Sequence, residues 1–493
     1  MPRLPLISRA GRCARGLQAL VPAAMALLLL ALAPLARATL PIQHWVQPSG
    51  ARVYLIENPS IPMVDVQIDF DAGQRRAPAD KIELVSAMTS MMDNGLLPRD
   101  PRRGASANRA GFSGRYDGRY DGAMDENAIS EAWTELGANF GIGAGDDRLS
   151  ATLRSLTEPD LLARAVALAA RQLGEPSFPA DLWARDQARS IATLRESLTR
   201  PATLASRAWY PAVFGDHPYG HMSTEASLRR ITAQDMRDFH GRHLHACRAR
   251  ITLVGAVTRA QADGIAAELL SRLPESAQGV CAALPTVPEV KPLAAPVEVR
   301  IPLDSAQAHV LIGQPGLRRA DPDYLPLMVG NYTLGGGGFV SRLTQEVREK
   351  RGLSYSVYSS FVAGLHAGTY FVGLQTRPDQ VQQAVDVVRA ELTRFVAEGP
   401  TDAELQAAKD NLVGGFALRI DSNRKLLDNV AAMAWNDLPL NYLDTWTAEV
   451  QAITREQVRA AFTRKVQPDR MVTVIVGPQS GLAQAPPAPR PAP

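Results

Sequence analysis

The stretch Ile231-Thr-Ala-Gln-Asp-Met236, followed by Thr252-Leu-Val-Gly255, returns downstream as Ile453-Thr-Arg-Glu-Gln-Val458, followed by Val474-Ile-Val-Gly477. The two copies stand 222 residues apart at both ends. Each reads as a helix with a Thr N-cap and apolar residues at helical spacing, feeding a β-branched strand that stops at glycine. Upstream, Ala165-Val166 matches Ala384-Val385 at an offset of 219. Further upstream, Val66-Gln-Ile-Asp-Phe-Asp-Ala-Gly73-Gln-Arg75-Arg76 resembles Val310-Leu-Ile-Gly-Gln-Pro-Gly316-Leu-Arg318-Arg319 at an offset of 243. The chain is therefore a duplication, and the fall in offset marks an insertion of 21 to 24 residues in the first copy.

That insertion lies at 98–125, where the composition turns to Arg, Gly and Ser around the tandem Gly114-Arg-Tyr-Asp-Gly118-Arg-Tyr-Asp-Gly122. Such a stretch has little apolar surface to offset its ordering entropy, so a mobile, solvated loop is expected. Five prolines mark a linker at 273–296 between a first domain, 40–272, and a second, 297–480, and the Pro-rich tail 481–493 is expected to be disordered. Within each copy, alternating strands near the start (Val53–Ile56 and Val64–Phe70 in the first) precede helices of 3.6-residue period. The fold class is α+β, each copy a sheet with helices packed on one side and each its own layered sandwich.

Four arginines (Arg3, Arg9, Arg12, Arg15) precede an apolar run from Leu20 to Leu35 and the small-residue site Ala36-Arg37-Ala38. This is the layout of a signal peptide over 1–38, cleaved after Ala38, and the run is short for a membrane span and interrupted by Pro22 and Pro34. A periplasmic location is expected, the alternatives being secretion or tethering by an uncleaved signal. The formal charge of +3 becomes −2 without the five arginines of that segment, so the remaining chain has no basic face for nucleic acid. Two cysteines remain, Cys247 and Cys281, and they either pair or are separate buried thiols.

None of the eight histidines belongs to a His-x-x-Glu-His motif. His217 and His221 are separated by Pro218 and Gly220, which exclude a shared helix face. His240, His243 and His245 cluster before a strand with no acidic neighbour suited to complete a metal site. The second copy is richer: Tyr332-Thr-Leu-Gly335-Gly-Gly-Gly338-Phe339-Val-Ser341-Arg342-Leu343, then Arg348-Glu-Lys-Arg351-Gly352-Leu-Ser-Tyr355. The glycines allow backbone amides to approach a ligand, and no Walker lysine accompanies them. Ser341 to Arg351 reads as a charged helix stopped at Gly352, with Tyr355 opening a strand. Arg348 and Tyr355 together suit a peptide carbonyl, one as a fixed cation and the other as a hydroxyl donor. On the residues alone, the alternative is a solvated charged helix beside a half-buried strand tyrosine.

The run from Gly335 to Leu343 with Arg348 to Tyr355 resembles the C-terminal half of the M16 family of pitrilysin, insulinase and mitochondrial processing peptidase. The duplication, the strand ending in Ala72-Gly73 and His217-Pro-Tyr-Gly220 fit the same resemblance. It implies two homologous domains, each an antiparallel-rich sheet covered by helices, forming a clam-shell. It also implies that Arg348 and Tyr355 bind substrate and stabilise the transition state, with Gly335, Gly336, Gly337, Gly338 and Phe339 as substrate-binding residues. In that family zinc lies on a helix of the first copy, where this chain has Ser86, Thr89 and Ser90 at the two His and the Glu positions. A third ligand is expected near Thr193 to Glu196, where Glu196 is the available carboxylate. One carboxylate does not hold catalytic zinc, which takes three protein ligands. The resemblance thus implies a chain that binds no metal and complements a zinc-bearing M16 homologue in a heterodimer acting on peptides or unfolded polypeptides. Two alternatives stand beside it: a non-catalytic structural or peptide-binding homologue, and an autonomous metallopeptidase built on His240, His243 and His245.

Overall fold

A computed structural model describes residues 41–100, 116–274 and 280–479. The signal segment 1–38, the tail 481–493 and part of the insertion lie outside the described residues. The first copy supplies β1 (Gln43–Val46), β2 (Arg52–Glu57), β3 (Met63–Phe70), β4 (Gly95–Leu96), β5 (Met124–Asp125), β6 (Asn139–Ala144), β7 (Leu149–Leu156) and β8 (Arg250–Gly255). The second supplies β9 (Val297–Pro302), β10 (Ala308–Pro315), β11 (Ser354–Val362), β12 (Thr369–Thr376) and β13 (Val472–Gly477). Apart from the short β4–β5 ribbon, they form two sheets, ordered β1-β2-β8-β3-β7-β6 and β11-β12-β10-β13-β9.

Without β1, the first order is β2-β8-β3-β7-β6, and the second taken from its other edge is β9-β13-β10-β12-β11. The two topologies coincide. Even the mixed character is shared, because β2 pairs parallel with β8 and β9 parallel with β13, while the other pairs run antiparallel. The repeated motif forms as its residues require. Thr232 and Asp235 cap the helix Ala233–His243 reciprocally, and Thr454 and Gln457 cap Arg455–Lys465 in the same way. Gly73 and Gly316 end matching strands where the backbone of the neighbouring hairpin leaves no room for a Cβ.

The expectation of helices on one side of each sheet, each copy standing alone, is corrected here. The helix Pro201–Phe214 of the first copy packs on β10 and β13 of the second, burying Ala205, Trp209 and Val213 against Val472, Val474 and Val476. The helix Asn423–Trp435 of the second copy packs on β8 and β3 of the first. The physical reason is visible in β13, Val-Thr-Val-Ile-Val-Gly, which lacks polar alternation and is buried on both faces. A sheet with two apolar faces needs two covers, and each copy lends the second cover to the other.

Asp147, in the β6–β7 turn, ties the copies together through polar contacts. It accepts from Arg75 Nε at 2.9 Å, from the Tyr219 hydroxyl at 2.5 Å and from the Leu365 amide of the opposite hairpin at 2.9 Å. The His217-Pro-Tyr-Gly motif therefore contributes its tyrosine to the seam. His217 Nδ1 accepts from the Tyr219 amide at 3.2 Å and fixes the turn.

The insertion also departs from expectation. Residues 101–115 lie outside the described residues, and in 116–125 Tyr116, Tyr120 and Met124 pack on the first core while Asp117, Arg119, Gly122, Ala123 and Asp125 stay exposed. Tyr120 is buried in the first core, and the Tyr116 hydroxyl donates to Asp121, which also pairs with Arg99 at 2.8 Å. Fully buried Arg171 donates to the carbonyls of Gly122 and Leu97 and pairs with Glu175. Such a cation needs all its partners, which makes this base of the insertion part of the core.

Residues 280–296 form no regular element, and Cys281 is joined to Cys247 by a disulfide with a Cα separation of 5.8 Å. A bridge closing a loop of 34 residues stabilises mainly by restricting the unfolded chain, by about 4 kcal/mol. Replacing both cysteines by serine is expected to lower the unfolding free energy by roughly that amount in urea titrations.

Candidate functional site

The helix Leu84–Met91 carries Ser86, Thr89 and Ser90 at the three positions where the M16 resemblance implies a zinc motif. Ser86 and Ser90, one turn apart, line an open cleft against Asp186, Arg189, Ser190 and Thr193 of the helix Ala180–Ser197. The Ser86 hydroxyl is engaged by Gln74, while Thr89 is buried and donates to the Ser86 carbonyl at 3.0 Å. Glu196 is turned away and pairs with Arg200, so the carboxylate expected to approach this cleft does not reach it. Arg189, seven residues earlier and on nearly the same helix face, does line the cleft, so it is the pairing with Arg200 in the last turn, not helical phase, that keeps Glu196 out. Two acids line the cleft, both unanticipated from sequence: Glu83, and Asp186, which is held by Arg185, Arg189 and Asn94. Neutral hydroxyls and two carboxylates, one of them arginine-paired, do not fit a catalytic zinc ion, which takes three protein ligands from imidazole, thiolate and carboxylate.

The histidine cluster does not converge. His240 and His243 are buried, and their rings contact the carbonyls of Leu173 at 2.7 Å and Phe239 at 3.1 Å. His245 contacts the carbonyl of Gly241 at 2.9 Å. Burial pushes His243 down to about 4, so it is neutral at pH 7. Among the described residues no three His, Cys, Asp or Glu side chains form a group able to hold a metal.

In the second copy the residues do come together. The Arg348 guanidinium lies between two aromatic rings, 4.7 Å from the centre of Phe339 and 4.8 Å from that of Tyr355. Tyr355 is 82% exposed and Phe339 70%, and neither belongs to a core cluster. The half-buried strand tyrosine is thus not what forms. A bulge between Ser354 and Val357 re-aims Tyr355 out of the sheet. Among the described residues its hydroxyl has no hydrogen-bond partner.

The glycines divide their work. A Cβ on Gly335 would strike Ser359, and one on Gly337 would strike Tyr332, so these two permit close packing on β11 and within their own turn. Gly338 takes φ +62° with open space around it, turning the chain outward so that Phe339 projects. The following helix is not regular: Thr344–Glu349 winds as a π-helical turn, a form found often at functional sites. It ends at Gly352, φ +61°, whose amide donates to the Arg348 carbonyl at 2.8 Å. Arg342, between Glu404 and Glu391, serves packing. Glu346 accepts from Lys350 and Arg351, each at 2.7 Å, and these cations hold its carboxyl at about 2.

A protein-family model described as the peptidase M16 inactive domain matches residues 230–412. The crystal structure of a peptidase M16 inactive domain from Pseudomonas fluorescens is 33% identical, with a TM-score of 0.79 over 90% of this chain and 100% of that one. The chain belongs to the M16 peptidase family. An uncharacterized zinc protease of Streptomyces coelicolor is 30% identical over 274 residues, 54% of this chain and 58% of that protein. A Helicobacter pylori protein called a non-peptidase homolog is 31% identical over 158 residues, 31% of this chain and 36% of that one. The chain thus matches about three-fifths of the first curated relatives' length, 58% and 61%. This chain is an M16 member of the inactive-domain, peptidase-like type with the two-sheet M16 fold. No helix among its described residues is long and apolar enough to cross a membrane.

Two measurements check the site as described. Elemental analysis of the purified chain is expected to find less than about one-tenth equivalent of zinc, since a true site holds metal through purification. Glu346, its folded value depressed from an ordinary 4.5 to about 2, contributes stability above the ordinary range and loses it as pH falls toward 2. Glu346→Gln is therefore expected to lower the melting temperature at pH 7, with the difference from wild type shrinking as pH falls below about 4.5.

Proposed function

We propose that this M16 chain is the complementing subunit of a heteromeric peptidase. Its partner is a zinc-bearing M16 homologue, and the substrate is a peptide or unfolded polypeptide. Arg348 and Tyr355 reach a composite site, binding the scissile carbonyl and stabilising charge that develops on it. The turn Gly335–Phe339 contacts the substrate. Zinc belongs to the partner, because the Ser86–Ser90 cleft has the wrong donors.

One observation carries this reading: the Arg348–Tyr355 pair is preassembled on the surface, while the metal cleft of the same chain carries hydroxyls. An aromatic side chain 82% exposed contributes little to folding, so its placement is explained by what lies outside the chain. The export signal and the Cys247–Cys281 bridge both support a periplasmic location, where disulfides persist.

A second reading, a non-catalytic structural or peptide-binding homologue, is favoured by the Helicobacter pylori relative, whose name denies it peptidase activity. Mixing the purified chain with a zinc-bearing M16 homologue from the same organism separates the two. The complementing role predicts peptide hydrolysis by the mixture that neither chain shows alone. Arg348→Ala with Tyr355→Phe is then expected to lower kcat/KM by about a hundredfold, the scale of losing one oxyanion donor. Unchanged hydrolysis in that double variant would refute the role given to the pair, and no hydrolysis in any mixture would favour the second reading.

A further inference from the structure

A different part of the molecule carries an unassigned binding site. Where the start of β8 meets the linker and the end of the helix Asn423–Trp435, a cleft of about 430 Å³ is lined by Arg52, Arg76, Arg248 and Arg250. Only two carboxylates face it, Asp71 and Asp437, leaving two positive charges in excess.

The pairing is uneven. Asp437 is shared by Arg52 at 2.8 Å and Arg250 at 3.1 Å. Asp71 binds Arg76 at 2.7 Å and is also taken by Arg75 at 2.5 Å. Arg248 has no carboxylate partner among the described residues. Its guanidinium donates only to two backbone carbonyls, those of Arg242 at 2.7 Å and Ala282 at 2.9 Å. A guanidinium carries five donors, so most of this fork remains free. Partial burial holds its pKa below the ordinary guanidinium value, with the Asp71 carboxylate opposing that shift and Arg76 adding to it.

The cleft is also rigidly built. Arg248 follows Cys247, and Ala282 follows Cys281, so the disulfide clamps both sides of the Arg248–Ala282 contact. Arg76 donates to the Pro285 carbonyl, fixing the same linker wall a second time. Like charges held together with an unfilled donor fork describe an anion receptor, because guanidinium forks match the planar or tetrahedral oxygens of carboxylate and phosphate.

We propose that this cleft binds a small multivalent oxyanion, with Arg248 as its principal ligand and Arg76 and Arg52 beside it. The site is independent of Arg348 and Tyr355 and of any peptidase role. The test is calorimetric titration of the purified, oxidised chain at low ionic strength, once with inorganic phosphate and once with citrate. Saturable one-to-one binding of at least one anion is expected, and the tighter of the two tells whether the cleft prefers tetrahedral or carboxylate oxygens. Arg248→Gln is expected to weaken that binding by about tenfold or more, the scale of a lost charge-assisted hydrogen bond. Arg248→Lys, which keeps the charge but loses the fork, should fall between. Arg377→Gln, on an exposed pair with Asp379 elsewhere, should bind like wild type. The melting temperature without anion shows whether each variant is folded, and Arg76→Gln replaces Arg248→Gln if the latter is not. Failure of both anions to bind, or undiminished binding by a folded variant lacking Arg248, overturns the proposal.

Discussion

Two helices change places in this molecule, and the rest of the structure depends on that exchange. Strand β13 is apolar on both faces and needs a cover on each, while the second face of the first sheet buries Asp65, Gln67, Asp69 and Thr252 beside Tyr54, Ile56 and Val254. Pro201–Phe214 covers the sheet of the second copy and Asn423–Trp435 covers that of the first. Trp209 shows the scale: it is 2% exposed and meets Phe371 of the opposite sheet edge-on at 5.8 Å. Truncating such a residue to alanine costs about 3–5 kcal/mol, a large part of a typical domain's stability. Pulling the copies apart would uncover both sheets at once, so the duplication yields one cooperative body.

Being one body, the chain positions loops from both copies relative to each other. The seam around Asp147 uses this: Arg75 and Tyr219 come from the first copy and the Leu365 amide from the second. A shared carboxylate with three donors, largely out of water, is worth more than a surface pair and fixes the register of the two hairpins. The oxyanion cleft depends on the same arrangement, since Asp437 follows the exchanged helix while Arg52 and Arg250 belong to the first sheet.

Much of this was legible in the sequence, for a reason that also sets the limit. Duplication is a long-range regularity, and a shared offset with matching Thr caps, strand ends and glycines survives loss of identity elsewhere. It marked the two sheets and the position of the insertion. What periodicity does not encode is partnership. The residues of Pro201–Phe214 announce an apolar helix but not which sheet it covers, although the unbroken Val-Thr-Val-Ile-Val of β13 already asked for a second cover. Tyr116 and Tyr120 read as solvated loop residues because what holds this segment, the first core and Arg171 on the Gly122 carbonyl, is supplied from far along the chain. Glu196 stands at about the separation the resemblance implies, but its pairing with Arg200 keeps it out of the cleft, a local contact that spacing does not encode.

The Arg348 stack shows how local backbone chemistry and global packing divide a functional segment. Gly335 and Gly337 lack side chains because the backbone there must touch Ser359 and Tyr332, and that contact anchors the turn to β11. Gly338 then reverses the chain in a conformation that ordinary residues avoid, and the anchored turn converts this into a fixed outward direction for Phe339. On the other side, the bulge in β11 turns Tyr355 toward the same point. A long, flexible arginine side chain loses up to about 2 kcal/mol of rotamer entropy when held in one pose. Two rings within 5 Å of its guanidinium have already imposed that loss. Its Nε also lies 3.4 Å from the Glu349 carboxylate, so the guanidinium is held by two rings and one acid before any ligand arrives. Neither ring gains much from this arrangement in burial, and the stability of the chain does not require it. The exposed stack therefore owes its geometry to the anchored turn and the irregular edge of β11 rather than to burial in the core.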